Sequence, residues 1–138
     1  MPEPGEFRFH YPVAVRFRDL DLMGHVHHSL ALVYFEEARA AYWRDVAGEG
    51  SGATIGYLIG DFAVRYLARI HFPMTLDVGT RVTHLGSKSW DMEYEVRAPD
   101  GLLVASGRST QVMYDYEAEV SVPIPDDIRR RITAFERL

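Results

Sequence analysis

Hydrophobic and polar residues alternate from the start of the chain. Phe7, Phe9, Tyr11, Val13, Val15 and Phe17 fall on one face, and Arg8, His10, Pro12, Ala14, Arg16 and Arg18 on the other. A period of two predicts a half-buried strand. Pro12 has no N–H to give to a ladder, so the strand belongs at a sheet edge. The period then lengthens. Leu30, Ala31, Tyr34, Phe35, Ala38, Ala41, Tyr42 and Val46 recur at helical spacing, which predicts a helix over Ser29–Val46. Ser29 or His28 is its expected N-cap, and Gly48 and Gly50 follow its end. Leu32, Val33, Ala40 and Trp43 widen the apolar arc until only Glu36, Glu37, Arg39 and Arg44 form a narrow polar side. Such a helix is expected to be buried on most sides.

After a Gly/Ser-containing loop the period of two returns. Phe62, Val64, Tyr66, Ala68, Ile70 and Phe72 alternate with Ala63, Arg65, Leu67, Arg69 and His71, and Pro73 ends the run. Val78–Lys88 is a third strand. Trp90, Met92, Tyr94 and Val96 then alternate with Asp91, Glu93, Glu95 and Arg97. Asp100-Gly101 marks a tight hairpin turn before a last long strand, Leu102–Tyr114. Pro125, Asp126 and Asp127 open a short helix that runs to about Glu136. Short connections make the later strands antiparallel neighbours. The predicted fold is α+β, an antiparallel five-stranded sheet wrapped around a long central helix, as one domain over residues 1–138. One edge and one face of that sheet stay uncovered, and oligomerisation is the natural cover.

Composition narrows the function. A chain of 138 residues can bury roughly 70% of its unfolded surface, enough for a core without staples. It has no cysteine, which excludes disulfides, thiolate zinc sites and a cysteine nucleophile, and fits a reducing compartment. The opening residues Met1 to Glu6 lack the regions of a signal peptide, and no apolar run reaches the ~18–20 residues of a membrane span. A cytoplasmic protein without membrane contact is expected. The net charge of −5 argues against general nucleic-acid binding, so an anionic ligand needs a local basic patch.

The chemistry concentrates in Arg18-Asp19-Leu20-Asp21-Leu22-Met23-Gly24-His25-Val26-His27-His28, between the first strand and the helix. Backbone N–H groups at a helix start are free and favour negative charge. A carboxylate beside them points to reaction at a carbonyl.

Asp19-x-Asp21-x-x-Gly24-His25-Val26, followed by Tyr34-Phe35-Glu36-Glu37-Ala38-Arg39, resembles the 4-hydroxybenzoyl-CoA-thioesterase-like branch of the hotdog-fold acyl-CoA thioesterases. The likeness continues through Ile70-His71-Phe72-Pro73, Ala105-Ser106-Gly107 and Val112-x-x-Asp115, and covers Phe9 to about Val122. It implies a sheet wrapped round a long helix and dimers joined edge to edge into one sheet. It also implies active sites at the dimer interface, often within a homotetramer. The second aspartate, Asp21, is then the catalytic carboxylate, and a backbone N–H near His28 polarises the thioester carbonyl. The chain departs from the family's usual pattern in having His27-His28 where asparagines are usual and Ala31 where an aromatic is common. Those departures leave the acyl preference open.

Each candidate also has a plainer reading. Asp21 attacks the carbonyl or activates water, or else it caps a turn. Asp19 reads as an exposed turn carboxylate, or else it orients a neighbouring group. Gly24 permits a turn with positive φ or a close substrate approach. His25, His27 and His28 lack an established zinc spacing and a fourth ligand, so no metal is expected. His25 packs or hydrogen-bonds near the loop. Glu36 and Glu37 read as a polar stripe, Glu36 pairing with Arg39. Tyr34, Phe35, Tyr42 and Trp43 read as core, or else they line an acyl pocket.

Arg65, Arg69 and His71 share a strand face. With Lys88, and weaker contacts from Ser89 and Ser106, they are candidates for the phosphates of coenzyme A, or else a solvated face. The expected activity is hydrolysis of a small or medium acyl-CoA to the acid and coenzyme A, with no cofactor beyond the coenzyme A of the substrate. The alternatives are a carrier-protein thioesterase, a dehydratase using His25 with Glu36, and a non-catalytic acyl-thioester-binding module.

Overall fold

The computed structural model describes residues 6–48 and 55–138. Gly50 and most of the Gly/Ser-containing loop lie outside the described residues, as do residues 1–5. The elements in order are β1 (Phe9–Ala14), α1 (Leu30–Tyr42), β2 (Ile55–Tyr66), β3 (Thr75–Leu85), β4 (Ser89–Arg97), β5 (Leu103–Asp115), β6 (Val120–Ser121) and α2 (Asp126–Glu136). A short 3₁₀ turn, Phe17–Asp19, precedes α1, and a wider π turn, Trp43–Ala47, extends it. Gly48, at φ 71°, ends that turn in the left-handed region, where glycine carries no Cβ penalty.

The strands are antiparallel in the order β1-β3-β4-β5-β2, with β6 added on β5. Among the described residues β1 pairs with β3 alone, so Pro12 does sit on an edge strand. β6 has two residues and no period from which to read it.

The sheet curls over one broad face of α1. Tyr34, Phe35, Ala38 and Tyr42 are fully buried against Leu76, Val78, Tyr94, Val96 and Ala105. Phe35 stacks on Phe62 and Tyr94, with ring centroids 5.7 and 4.8 Å away. Gly107 makes this closeness possible, because a Cβ there would lie 2.9 Å from both the Phe35 ring and the Ala63 carbonyl. This is the α+β hotdog arrangement the sequence predicts.

Two expectations about α1 need correction. The helix is not buried on most sides, since Leu32, Val33, Glu36 and Ala40 are exposed. Arg39 is not on its polar side either. It is buried, with Nε and Nη1 each 3.3 Å from the hydroxyls of Tyr57 and Tyr94 and the guanidinium over the Tyr57 and Phe62 rings. Sheet tyrosines supply acceptors that the helix periodicity does not reveal.

The strand predicted through Phe72 stops at Tyr66. The N–H groups of Leu67 and Ala68 both turn onto the Val104 carbonyl, and the Ile70 carbonyl accepts the Val26 N–H at 3.1 Å. Residues 67–73 thus leave the ladder and lie against the loop before α1. At the other end of the sheet the β3 register shifts between Val82 and His84. The Glu136 carboxylate fills that break, accepting the Val82 N–H at 2.8 Å and the Tyr42 hydroxyl at 2.7 Å.

Candidate active site

The loop from Arg16 to His28 is built around two carboxylates with different surroundings. Asp19 is buried, against the expectation of an exposed turn residue. Its Oδ2 accepts the Arg16 N–H at 3.0 Å and the Tyr34 hydroxyl at 2.7 Å. Its carbonyl accepts the His27 N–H at 2.9 Å. Asp19 therefore ties the end of β1, the first turn region of α1 and the loop between them.

Asp21 is exposed at the head of a tight turn. Its N–H donates to the His25 carbonyl at 2.7 Å, and its own carbonyl accepts the Gly24 N–H at 3.1 Å. Gly24 stands at φ 79°, so the turn reading of that glycine holds. The Asp21 Oδ1 accepts the N–H groups of Met23 at 2.8 Å and His25 at 3.2 Å. The capping role weighed for Asp21 is thus present on one oxygen, while Oδ2 has no partner among the described residues. The His25 N–H does most to hold the carboxyl below the usual carboxylate range. Desolvation is the next largest effect and opposes it, while the Met23 N–H and the His25 and His27 imidazoles assist.

The start of α1 is capped in an unexpected way. Ser29 occupies the N-cap position, but its side chain makes no capping bond. The His27 ring does so instead. Its Nδ1 accepts the Ser29 N–H at 3.2 Å and lies 2.8 Å from the Ser29 hydroxyl. The His28 N–H, one residue earlier, has no partner among the described residues. Tyr66 donates its hydroxyl to the His28 carbonyl at 2.7 Å and so fixes the following peptide plane. Sequence reasoning missed Tyr66, which carries no signal beyond strand alternation.

These groups border a cavity of about 360 Å³, lined by His25 to His28, Ala31 and residues 66–70. Ala31, Leu67, Ala68 and Ile70 give it apolar walls. Asp21 stands outside the lining, joined to it through His25. Arg69 reaches the rim, with Nη1 3.1 Å from His25 Nε2; arginine has only donors, so that ring nitrogen accepts.

The remaining candidates scatter. Arg65 lies on the opposite face of β2, where it pairs in register with Ser106. His71 packs edge-on against His25 at 5.7 Å. Lys88 and Ser89 are not brought to the cavity within one protomer. Ser89 is opposite Val112 and Tyr66 opposite Ala105, so they sit seven residues apart along β5, about 23 Å at the usual strand rise. His25 and Glu36 are not brought together either, since Glu36 lies further along α1, 3.9 Å from Arg39. Tyr34, Phe35 and Tyr42 are core, as the plainer reading has it. Among the described residues, no group of three or more His, Cys, Asp or Glu is placed to hold a metal ion, and no helix is long and apolar enough to cross a membrane.

A strand, a tight acidic turn and a helix start over an apolar cavity, on a sheet curled round that helix, define a thioesterase-type hotdog domain. Residues 15–132 match the thioesterase-like superfamily, and the chain belongs to it. It is similar to a thioesterase from Thermus thermophilus whose crystal structure is a complex with coenzyme A and Zn. The two are 34% identical, with 97% of this chain and 98% of that one covered and a TM-score of 0.84. A thioesterase superfamily structure from Jannaschia sp. CCS1 shares the fold, at 22% identity, a TM-score of 0.89 and coverage of 98% and 87%. The uncharacterized protein YsmA of Bacillus subtilis (strain 168) is 23% identical over 88% of this chain and 82% of its own length.

Proposed function

We propose that the protein hydrolyses a small or medium acyl-CoA thioester to the carboxylic acid and coenzyme A. The observation that carries this reading is that, among the described residues, one oxygen of the ionised Asp21 and the His28 N–H at the start of α1 are both unpartnered, with His25 between them in the loop. A thioester needs a nucleophile or base at carbon and a donor at the oxygen where charge develops. The helix start adds the favourable end of its dipole to that donor.

In this scheme an Asp21 oxygen attacks the thioester carbon while the His28 N–H stabilises the oxyanion. The C–S bond breaks, and the coenzyme A thiolate takes a proton from solvent. Water then hydrolyses the mixed anhydride, releasing the acid and restoring the carboxylate. The alternative role for Asp21 is general base toward water. Both roles use the ionised carboxylate that the turn hydrogen bonds favour. The cavity of about 360 Å³ lies at the small end of ligand sites, which suits a short or medium acyl group. No step in the scheme requires a cofactor beyond the substrate's own coenzyme A. The coenzyme A complex of the Thermus relative supports the substrate class.

The scheme also calls for a homo-oligomer, a dimer or a dimer of dimers. β2 is a twelve-residue edge strand with Leu58 and Ile59 exposed, and α1 exposes Leu32 and Val33. A partner chain covering these would close the site and could bring its own Lys88 and Ser89 near. We place the protein in the cytoplasm, away from membranes and nucleic acid.

The test is free-thiol release from acyl-CoAs of short, medium, long and aromatic type, with wild type beside Asp21→Asn. Hydrolysis by wild type that collapses in the variant supports the scheme. Tight binding of every ester without turnover would make the protein a binding module instead.

A further inference from the structure

The peptide joining His27 to His28 carries the donor used in the scheme above, and three contacts set its direction. The His27 N–H donates to the Asp19 carbonyl at 2.9 Å, so the chain enters this peptide from a fixed point. The His27 carbonyl accepts the Leu30 N–H at 3.0 Å. In a trans peptide the C=O and N–H point opposite ways, so the His28 N–H is turned out of the start of α1. The third contact is the His27 ring, whose Nδ1 accepts the Ser29 N–H at 3.2 Å. That bond closes a ring of atoms around the same peptide, as asparagine and aspartate side chains do in turns.

This cap depends on one protonation state. The Ser29 N–H has only a proton to give, so Nδ1 must accept, and the neutral ring carries its proton on Nε2. The Ser29 hydroxyl, 2.8 Å from the same nitrogen, turns its hydrogen toward it. A protonated ring has a donor at both nitrogens. Its Nδ1–H can keep the hydroxyl oxygen but meets the Ser29 N–H head on. It also sets a cation at the positive end of the helix dipole. An imidazole side chain titrates at about pH 6.5, whereas the asparagine usual at this place in the family does not titrate.

The groups around the ring do not supply the same effect. His28 lies over it, with ring centroids 4.2 Å apart. Asp21 faces it across the turn, and positive charge on His27 favours the ionised carboxylate. A proton on His27 therefore leaves Asp21 charged and acts through the cap. His25 from the loop, and Tyr66 and Arg69 from the end of β2 and the segment after it, line the same cavity.

We propose that the neutral His27 ring is a positioning group for the oxyanion-binding peptide, and that a proton on Nδ1 releases that peptide and lowers turnover. The proposal rests on the thioesterase function proposed above. It adds a loss of activity on mild acidification that Asp21 does not produce.

The experiment measures kcat for acyl-CoA hydrolysis from about pH 8 to about pH 5 in wild type, His27→Ala, His27→Asn and His28→Asn. Wild type should lose about tenfold or more along a one-proton limb. His27→Ala should be about five- to tenfold slower at pH 8, with the limb gone. His27→Asn, whose side-chain oxygen accepts the Ser29 N–H without titrating, should recover most of that loss and keep a flat profile. His28→Asn should retain the limb. A flat wild-type profile, or a limb that survives in His27→Asn, overturns the proposal. Thermal melts show that each variant is folded.

Nitrogen-15 NMR of the full chain reads the cap without turnover. At pH 8 His27 should carry its proton on Nε2, and the Ser29 amide shift should titrate with the ring. A proton on Nδ1 at pH 8 overturns the proposal. A wild type that hydrolyses no thioester at any pH sinks the thioesterase reading and the catalytic part of this one, and the NMR result still decides the cap.

Discussion

The Tyr34 hydroxyl donates a 2.7 Å hydrogen bond to the buried carboxylate of Asp19, two residues before the exposed carboxylate of Asp21. One aspartate anchors the loop to the helix, and the other is left at the surface beside the cavity. Tyr34→Phe should cost about 1–3 kcal/mol, because it leaves a buried charged acceptor short of a donor. Urea unfolding measures this. A cost under about 0.5 kcal/mol would mean that the bond contributes little to holding the loop.

Asp21→Asn should lower thioester hydrolysis by about two to three orders of magnitude, the scale seen when one group acting on the transition state is removed. Stability should change little, since Asp21 is exposed and asparagine can keep the same turn. Equal turnover in both proteins would remove Asp21 from the mechanism. Single-turnover hydrolysis in heavy-oxygen water tests its role. Label entering the Asp21 side chain reports an anhydride opened at Asp21, whereas label in the product acid alone is the outcome of general base catalysis and of attack on the acyl carbon of an anhydride alike.

The pH profile carries a second signature of Asp21. Its folded pKa is lowered, chiefly by the His25 N–H, so the carboxylate stays ionised as pH falls from neutral and protonates only below the usual carboxylate range. The Asp21 limb of kcat/KM should therefore lie below about pH 4, with no loss from this group between about pH 8 and 5. A carboxylate limb near pH 6 would contradict the hydrogen bonding described for this turn.

Glu136 joins the far end of the molecule. Its Oε2 accepts both the Val82 N–H at the β3 irregularity and the Tyr42 hydroxyl. Burial does most to push the Tyr42 hydroxyl up out of its ordinary range, with Glu136 adding to it. Glu136→Ala should destabilise by roughly 1–3 kcal/mol through the unmatched N–H, with kcat unchanged in the folded protein. A large fall in kcat at full folding would show coupling between the two ends of α1.

Gly107→Ala should also destabilise, by about 1–3 kcal/mol. The added methyl would meet the Phe35 ring and the backbone carbonyl of Ala63, each at 2.9 Å, and a paired strand cannot step aside. Chemical denaturation of this variant checks the packing of α1 on the sheet independently of the site.

What the sequence made legible follows from range. The alternations of β1, β4 and β5 and the spacing of α1 are local, and the structure contains those elements within a few residues. The Asp100-Gly101 turn is local too, and Gly101 stands at φ 91°. The burial of Asp19 is not legible in the sequence because its partner Tyr34 is fifteen residues away, on another element. The burial of Arg39 is hidden for the same reason, since its acceptors come from β2 and β4. The strand predicted past Tyr66 kept its period but lost its neighbour, because pairing depends on where Val104 and Val26 stand.

The unpartnered donor at the start of α1 belongs to the main chain, and every residue but proline would supply it at position 28. In the proposed scheme, the group that polarises the carbonyl is therefore indifferent to most substitutions. The side chains at 28, 31, 67 and 68, which help give the cavity its shape, are free to change around it. A lineage of such proteins could exchange one acyl substrate for another by altering the walls alone, without rebuilding the reaction each time.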